Sequence, residues 1–343
     1  ASDNGLKFFT PEGTKLGVPE EVRFESFLVD ATDTGKTSPD FVAREEKGWA
    51  DKYAGATAAV FEGLDLSGTR ILCDCANGAT HRTTPAVLRA LGAEVDARAA
   101  DPDGRNINER CGSEHPDTLA LDMAGGAYDL AFAHDGDGDR VIFVDVGGEI
   151  VPGEQVLGVF ALDALRRGSL GEETVVTTMQ SNLGLDRAVH GAGGRVIRTD
   201  IGDRFVVAAM RESGASIGGE ESGHLILGKY ATTGDGLLAA LYLLRILRTT
   251  GRTLSKLRSE IPLFPQQTVS RRVVEKIPLE ACENLAKALD ATRATLGDDG
   301  RILVRYSGTE PKIRFLVEAP SQELCRNSLD RLVAAAGTDL AWA

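Results

Sequence analysis

Tyr128-Asp129-Leu130-Ala131-Phe132-Ala133-His134-Asp135-Gly136-Asp137-Gly138-Asp139-Arg140 decides the fold. Its first half is an apolar run of strand length, and its second half is an acidic glycine loop. A continuous apolar run reads as a strand buried on both faces, as in a parallel sheet covered by helices. Open α/β sheets hold ligands at the carboxyl ends of such strands. Glycine permits the tight turns that let alternate carboxylates fold onto one hard cation. Oxygen-only donors favour Mg²⁺, Mn²⁺ or Ca²⁺ over zinc. Asp135, Asp137 and Asp139 are therefore the candidate metal ligands. The alternative is a solvated acidic turn, in which three clustered carboxylates repel unless a cation or an arginine compensates them.

Two other metal readings fail on spacing. An EF-hand needs Glu at the twelfth loop position, and Val146 stands there. A haloacid-dehalogenase-type loop has two aspartates followed by Thr or Val, where this chain has Asp139.

Working outward, the pattern alternates between strands and helices. Lys47 to Phe61 is helical in composition, Thr69 to Cys73 a strand, Thr84 to Leu91 a helix ended by Gly92, and Ala93-Glu94-Val95 opens a strand. A second unit starts near Ile150, with helices over Leu157–Leu165, Leu183–Val189, Asp203–Met210 and Gly236–Leu247 and strands at Thr174–Thr177 and Arg195–Ile197. A third, near Gln267, holds a strand, a helix over Leu279–Leu289, paired strands around Arg301–Arg305 and Lys312–Glu318, and a last helix over Gln322–Ala335. Gly5 to Phe9 reads as a strand, Pro19 starts a helix, and Asp30 to Pro39 reads as a polar linker. The expected fold class is α/β: consecutive mixed α/β domains followed by a smaller α+β C-terminal domain.

Composition narrows the partners. The chain has 343 residues and a formal net charge of −13, which argues against nucleic acid or an anionic membrane surface. No apolar run approaches the about 18 residues of a membrane span. The beginning, Ala1-Ser2-Asp3-Asn4, has no basic and apolar leader pattern. The five cysteines form neither a zinc pattern nor a disulfide framework. A cytoplasmic protein with reduced thiols is expected.

Two further loops carry chemistry. Gly218-Gly219-Glu220-Glu221-Ser222-Gly223-His224 sets a carboxylate, a hydroxyl and an imidazole together. Glu220 and Ser222 suit sugar hydroxyls, and His224 suits a hydroxyl or a phosphate. It is not a nucleophile elbow, which needs G-x-S-x-G. Arg305-Tyr306-Ser307-Gly308-Thr309-Glu310-Pro311, followed by Arg314, resembles a phosphate cradle. Arginine supplies bidentate, always-charged contacts, and hydroxyls and backbone amides fill the remaining oxygens. Structural turns are the alternatives for both loops.

In this order, the three loops resemble the signature of the α-D-phosphohexomutases. Asp74-Cys75-Ala76-Asn77-Gly78-Ala79 resembles the start of the family's second domain. Pro102 to Asn108 with Cys111-Gly112-Ser113, Ser181-Asn182-Leu183-Gly184, Gly202-Asp203-Arg204 and Thr232-Thr233-Gly234-Asp235-Gly236 resemble its phosphoglucosamine mutase branch. The resemblance implies an isomerase that interconverts a hexose or hexosamine 6-phosphate with the 1-phosphate through a sugar 1,6-bisphosphate. Mg²⁺ would bind Asp135, Asp137 and Asp139, with Arg140 near the reacting phosphate. Glu220, Ser222 and His224 would hold the sugar, and Arg305, Ser307, Gly308, Thr309 and Arg314 the phosphate that is not transferred. Asn4-Gly5-Leu6-Lys7 resembles the segment after the family's active-site serine, which makes Lys7 the candidate acid/base. A homodimer is one candidate assembly.

The resemblance also implies domains at 1–45 (a remnant of the first), 46–149 (metal loop), 150–264 (sugar loop) and 265–343 (phosphate loop). The family's serine motif would lie ahead of Ala1, so the chain as given is expected to lack the catalytic serine. The alternative is a serine-less sugar-phosphate-binding protein or an Mg²⁺-dependent sugar-phosphate phosphatase or phosphotransferase. Pro152-Gly153-Glu154 departs from the Gly-Asp pair usual in the family.

Overall fold

The computed structural model describes residues 7–30, 47–308 and 310–343. Helices α1 (Val18–Asp30) and α2 (Trp49–Val60) precede the first sheet. That sheet is built from β1 (Arg70–Asp74), α3 (Thr83–Ala90), β2 (Glu94–Arg98), α4 (Asp117–Ala124), β3 (Leu130–His134), β4 (Val141–Val144) and β5 (Ile150–Val151). Its order is β2-β1-β3-β4-β5. The first three strands are parallel, and β4 and β5 return antiparallel. As the unbroken apolar run predicts, β3 is buried along its whole length.

The second sheet repeats this plan. It follows α5 (Gly153–Arg166) and contains β6 (Thr174–Thr178), α6 (Leu183–Gly191), β7 (Arg195–Thr199), α7 (Asp203–Ser213), β8 (Ile217–Gly219) and β9 (Leu225–Leu227). The order is β7-β6-β8-β9, three parallel strands and one antiparallel return. Helices α8 (Gly236–Thr250) and α9 (Leu254–Arg258) complete this part. The last unit has β10 (Gln266–Arg272), α10 (Glu283–Leu296), β11 (Arg301–Tyr306), β12 (Lys312–Glu318) and α11 (Gln322–Asp339). Its sheet is antiparallel, ordered β10-β12-β11.

A helix apolar on all sides is one that other elements surround. Both α5 and α8 are of that kind, buried along most of their length. They join the first two sheets into one continuous core that includes Phe132, Phe143 and Phe160. The last unit has a core of its own around Leu285, Phe315 and Leu332.

The structure differs from the sequence expectation at several elements. Of the strand expected at 5–9, the described part is a single antiparallel bridge between Phe9 and Lys15. The helix expected from Leu279 is one 3₁₀ turn, and α10 starts only at Glu283. The strands β4, β5, β8 and β9 and helix α4 were not foreseen. The strands are two to four residues long, too short for a readable period, and α4 spans only eight residues. Residues 31–39 of the expected linker lie outside the described residues.

Candidate functional site

The acidic loop is the turn between β3 and β4. Glycine is required here on two counts. Gly138 has φ +77°, a conformation few side chains adopt. Opposite the loop, a Cβ on Gly78 would stand 2.2 Å from the Gly136 carbonyl, and the Ala79 amide donates to that carbonyl at 2.8 Å. Buried Asp74 pins the neighbouring turns by accepting from the amides of Ala76 and Gly112. The 74–79 and 111–113 segments thus brace the acidic loop from behind.

Within the loop, one ligand oxygen from each of Asp135, Asp137 and Asp139 lies within 4.8 Å of the others. Lys7 is drawn onto this cluster. Its ammonium bonds Asp137 and also Asp139, the latter at 2.8 Å. Burial opposes its charge, but the two carboxylates hold its pKa well above the usual lysine range. Arg140 caps the other side: its Nε donates to Asp135 Oδ2 at 2.7 Å. Burial raises the Asp135 pKa against the pull of that guanidinium. For Asp139, burial is outweighed by hydrogen bonds from His224 and Lys7, and the carboxyl is held below its usual range. An oxygen-only donor set that gathers two cationic side chains fits a hard divalent ion.

The sugar-loop residues are the turn between β8 and β9, the same place in the second sheet that the acidic loop has in the first. The two turns touch. The Val141 amide donates to the Gly223 carbonyl at 3.0 Å, and the Gly153 amide to the Glu221 carbonyl at 3.1 Å. His224 is buried, and the Gly234 amide donates to its Nε2 at 3.1 Å. Nδ1 is then the protonated nitrogen, and it faces Asp139 Oδ1 at 3.5 Å. Glu220 accepts from the Gly202 amide at 3.0 Å. Ser222 is half-buried beside it. An open cleft of about 490 Å³, lined by Lys7, Trp49, Tyr53, Asp137, Asp139 and Asp235, adjoins the cluster.

Arg305 and Arg314 sit opposite each other on β11 and β12. Among the described residues neither has an ion-pair partner. They line a separate groove of about 160 Å³. Burial and the facing Arg314 lower the Arg305 pKa, while Asp200 and Glu221 lie near enough to support its charge. Ser307 is buried in the β11–β12 turn, Gly308 is exposed beside it, and Lys276 Nζ donates to the Ser307 carbonyl at 2.7 Å. Thr309 and Asn4 to Leu6 lie outside the described residues. Two of the three loops therefore meet directly, and the arginines beside the third line a separate groove, with Glu221 of the second loop near Arg305.

Sequence reasoning missed several residues that set this geometry. Tyr53 donates to Asp235 at 2.8 Å, and Asp235 caps α8 through the Leu238 amide. Lys15 pairs with Asp203. Asp235 and Asp203 stand in the quoted runs Thr232–Gly236 and Gly202–Arg204, but nothing in the sequence paired them with Tyr53 and Lys15.

Known proteins match this arrangement over almost the whole chain. Family models match in chain order: phosphoglucomutase/phosphomannomutase alpha/beta/alpha domain II over residues 51–148, domain III over 152–264, and the C-terminal domain over 269–335. The chain belongs to the α-D-phosphohexomutase family. It is a phosphosugar mutase, an isomerase of carbohydrate metabolism in a magnesium-dependent family. The phosphoglucosamine mutase of Nitratidesulfovibrio vulgaris strain DP4 is 43% identical over 329 residues, which is 94% of this chain and 72% of that protein. That of Frankia alni is 42% identical, over 97% of this chain and 73% of that protein.

Solved phosphohexomutases share the fold. A phosphoglucomutase/phosphomannomutase family protein from Burkholderia thailandensis superposes with a TM-score of 0.69 at 24% identity, covering 85% of this chain and 66% of that one. Aspergillus fumigatus N-acetylphosphoglucosamine mutase, in complex with GlcNAc-6P and magnesium, gives 0.67 at 21% identity, covering 90% and 69%. Among the described residues, no helix is long and apolar enough to cross a membrane.

Proposed function

We propose that this phosphohexomutase is of the phosphoglucosamine mutase type, interconverting hexosamine 6-phosphate and 1-phosphate through the 1,6-bisphosphate. The observation that carries the reading is the direct contact of the acidic loop with the Glu220–His224 loop, which brings clustered carboxylates beside a carboxylate, a hydroxyl and an imidazole. The relatives at 42–43% identity support the amino sugar. So does the Aspergillus neighbour that holds GlcNAc-6P. The proposed working units are residues 46–149, 150–264 and 265–343, each giving one loop.

Asp135, Asp137 and Asp139 would hold Mg²⁺, which supplies neutralisation of charge on a transferring phosphoryl group. Glu220 and Ser222 would orient sugar hydroxyls. His224 would fix Asp139 and one edge of the sugar. Arg305, Arg314, Ser307, Gly308 and Thr309 would hold the phosphate that stays on the sugar. Arg140 would face the reacting phosphoryl oxygens. Lys7, kept protonated by the charges of its carboxylate neighbours, would give a proton to the leaving oxygen and take it back in the reverse transfer. The donor phosphoserine is, on this reading, outside the 343 residues.

Calorimetric titration of Mg²⁺ and of glucosamine 6-phosphate tests the assignment. Arg305→Ala should weaken sugar-phosphate binding at least tenfold and leave Mg²⁺ binding unchanged. Asp137→Asn should do the reverse to the metal. Equal loss of both ligands in Arg305→Ala would overturn the division of roles. A coupled assay with catalytic glucosamine 1,6-bisphosphate should show no appreciable turnover by this chain alone. Robust turnover abolished by Ser2→Ala would refute the placement of the donor.

A further inference from the structure

The arginine groove is not lined by the last unit alone. Arg305 on β11 and Ser270 on β10 both register with Arg314 on β12, so the three side chains share one face. Thr268 lies next along β10. The remaining polar wall is Gln180, which follows β6 in the preceding unit. Among the described residues, the Gln180 side-chain amide has no hydrogen-bond partner.

Its backbone, by contrast, is held from three directions. Arg301 Nη1 donates to the Met179 carbonyl at 2.8 Å and Nη2 to the Ser181 carbonyl at 2.7 Å, straddling Gln180. Arg198 Nη1 donates to the carbonyls of Thr178 and Ser181 from within the same unit. The Gln180 amide donates to Thr178 Oγ1 at 3.2 Å, and that hydroxyl donates to Glu221 Oε2 of the sugar loop at 3.1 Å. Arg301 is itself oriented by Glu318, a fully buried carboxylate that accepts from its Nε at 2.8 Å. A fixed backbone under an unpartnered amide that faces two unpaired guanidinium groups is a preorganised contact for an anion.

We propose that Gln180 is a ligand-contacting residue of this groove, its amide N–H donating to an anion oxygen, and that Arg301 is the positioning residue that presents it. The proposal rests on reading the groove as the phosphate site. A neutral donor adds a hydrogen bond to a dianion without adding to the repulsion between Arg305 and Arg314. Drawn from the preceding unit, it also makes binding depend on how the two units dock.

Inorganic phosphate, titrated calorimetrically into the full 343-residue chain, is the probe. Gln180→Ala should raise the dissociation constant roughly tenfold, the worth of one hydrogen bond to a charged group. Gln180→Glu should raise it further, by charge repulsion. Arg301→Lys keeps the charge but not the two-carbonyl fork, and should also weaken phosphate. If it acts through Gln180, its penalty should disappear in the Gln180→Ala background; a merely structural role would add to the first penalty instead. Parental phosphate affinity in both Gln180 variants, with Arg305→Ala weakened, would sink the Gln180 contact and leave the groove standing. Unchanged binding in Arg305→Ala would sink the groove itself.

Discussion

The carboxyl of Glu154 lies in the first turn of α5, 6% exposed, with Oε2 unbonded among the described residues. Burial raises its pKa from 4.5 to about 7, and the charges of Glu221 and Glu318 push the same way against hydrogen bonds from its own amide and that of Asn182. An acid raised on folding keeps its proton in the native state where the unfolded chain has lost it. The native state then binds more protons between pH 4.5 and about 7, so stability falls as pH rises through that window. The effect is on the order of 3 kcal/mol. Glu154→Gln keeps the shape and an acceptor for Asn182 but cannot ionise. Its melting temperature should depend less on pH between 5 and 8 and exceed the parent's by several degrees at pH 8. Scanning calorimetry at both ends measures this, and an unaltered slope would place the titrating group elsewhere. Nothing in the sequence around Glu154 announced the shift. It arises from Glu221 and Glu318, far away along the chain. Asp135, Asp137 and Asp139, by contrast, were legible because all three sit within one short loop.

Two hairpin turns, β3–β4 and β8–β9, make most of the candidate site; the Val141–Gly223 bond joins them, and the start of α5 packs against the second. A Cβ on Gly153 would stand 2.3 Å from the Glu220 carbonyl, 2.7 Å from the Gly223 amide and 2.8 Å from the Glu221 carbonyl. All three are backbone atoms of the sugar loop, so no side chain can swing aside. Gly153→Ala should cost about 1–3 kcal/mol and displace the loop. Glucosamine 6-phosphate binding should drop at least tenfold in the same titration, while Mg²⁺ binding changes little. A variant that binds both ligands normally would show that the loop tolerates displacement. The limits of the sequence reading are visible here. The long buried strand β3 and the helices α5 and α8 announce themselves by unbroken apolar runs. The returning strands β4 and β9 hold four and three residues, too few for a period, although they turn the glycine loops into hairpins. The motif spelling marked Glu220 and His224 as candidate ligand contacts. It could not say that His224 would turn its ring toward Asp139 and the Gly234 amide.

Taken whole, the described residues form two main cores, beside two smaller apolar clusters around Met123 and Met210. One main core runs through the first two sheets by way of α5 and α8, and the other belongs to the last unit. The boundary between them is polar. Glu318 is fully buried there; its Oε2 accepts from Arg301 and from the Leu183 amide at the start of α6, and its Oε1 has no partner among the described residues. The Arg301 guanidinium adds a second tie, donating to the Met179 carbonyl at 2.8 Å and the Ser181 carbonyl at 2.7 Å, and Arg187 a third, donating to Asp299 at 2.9 Å. Sheets that share a core should melt together, and a unit joined by a few polar contacts should melt as a second cooperative block. Arg301→Ala removes the only side-chain cation paired with Glu318 among the described residues and leaves a buried charge uncompensated, a loss of about 3–5 kcal/mol. That loss falls on the docking of the last unit and not on the shared core. Scanning calorimetry of the variant should therefore show the smaller transition, from residues 265–343, moving down by ten degrees or more, while the larger stays within a degree or two of the parent. Arg301→Ala with Glu318→Gln should recover part of the shift, because the stranded charge is gone. A single transition that moves as one in both variants would mean that the boundary is as cooperative as the core.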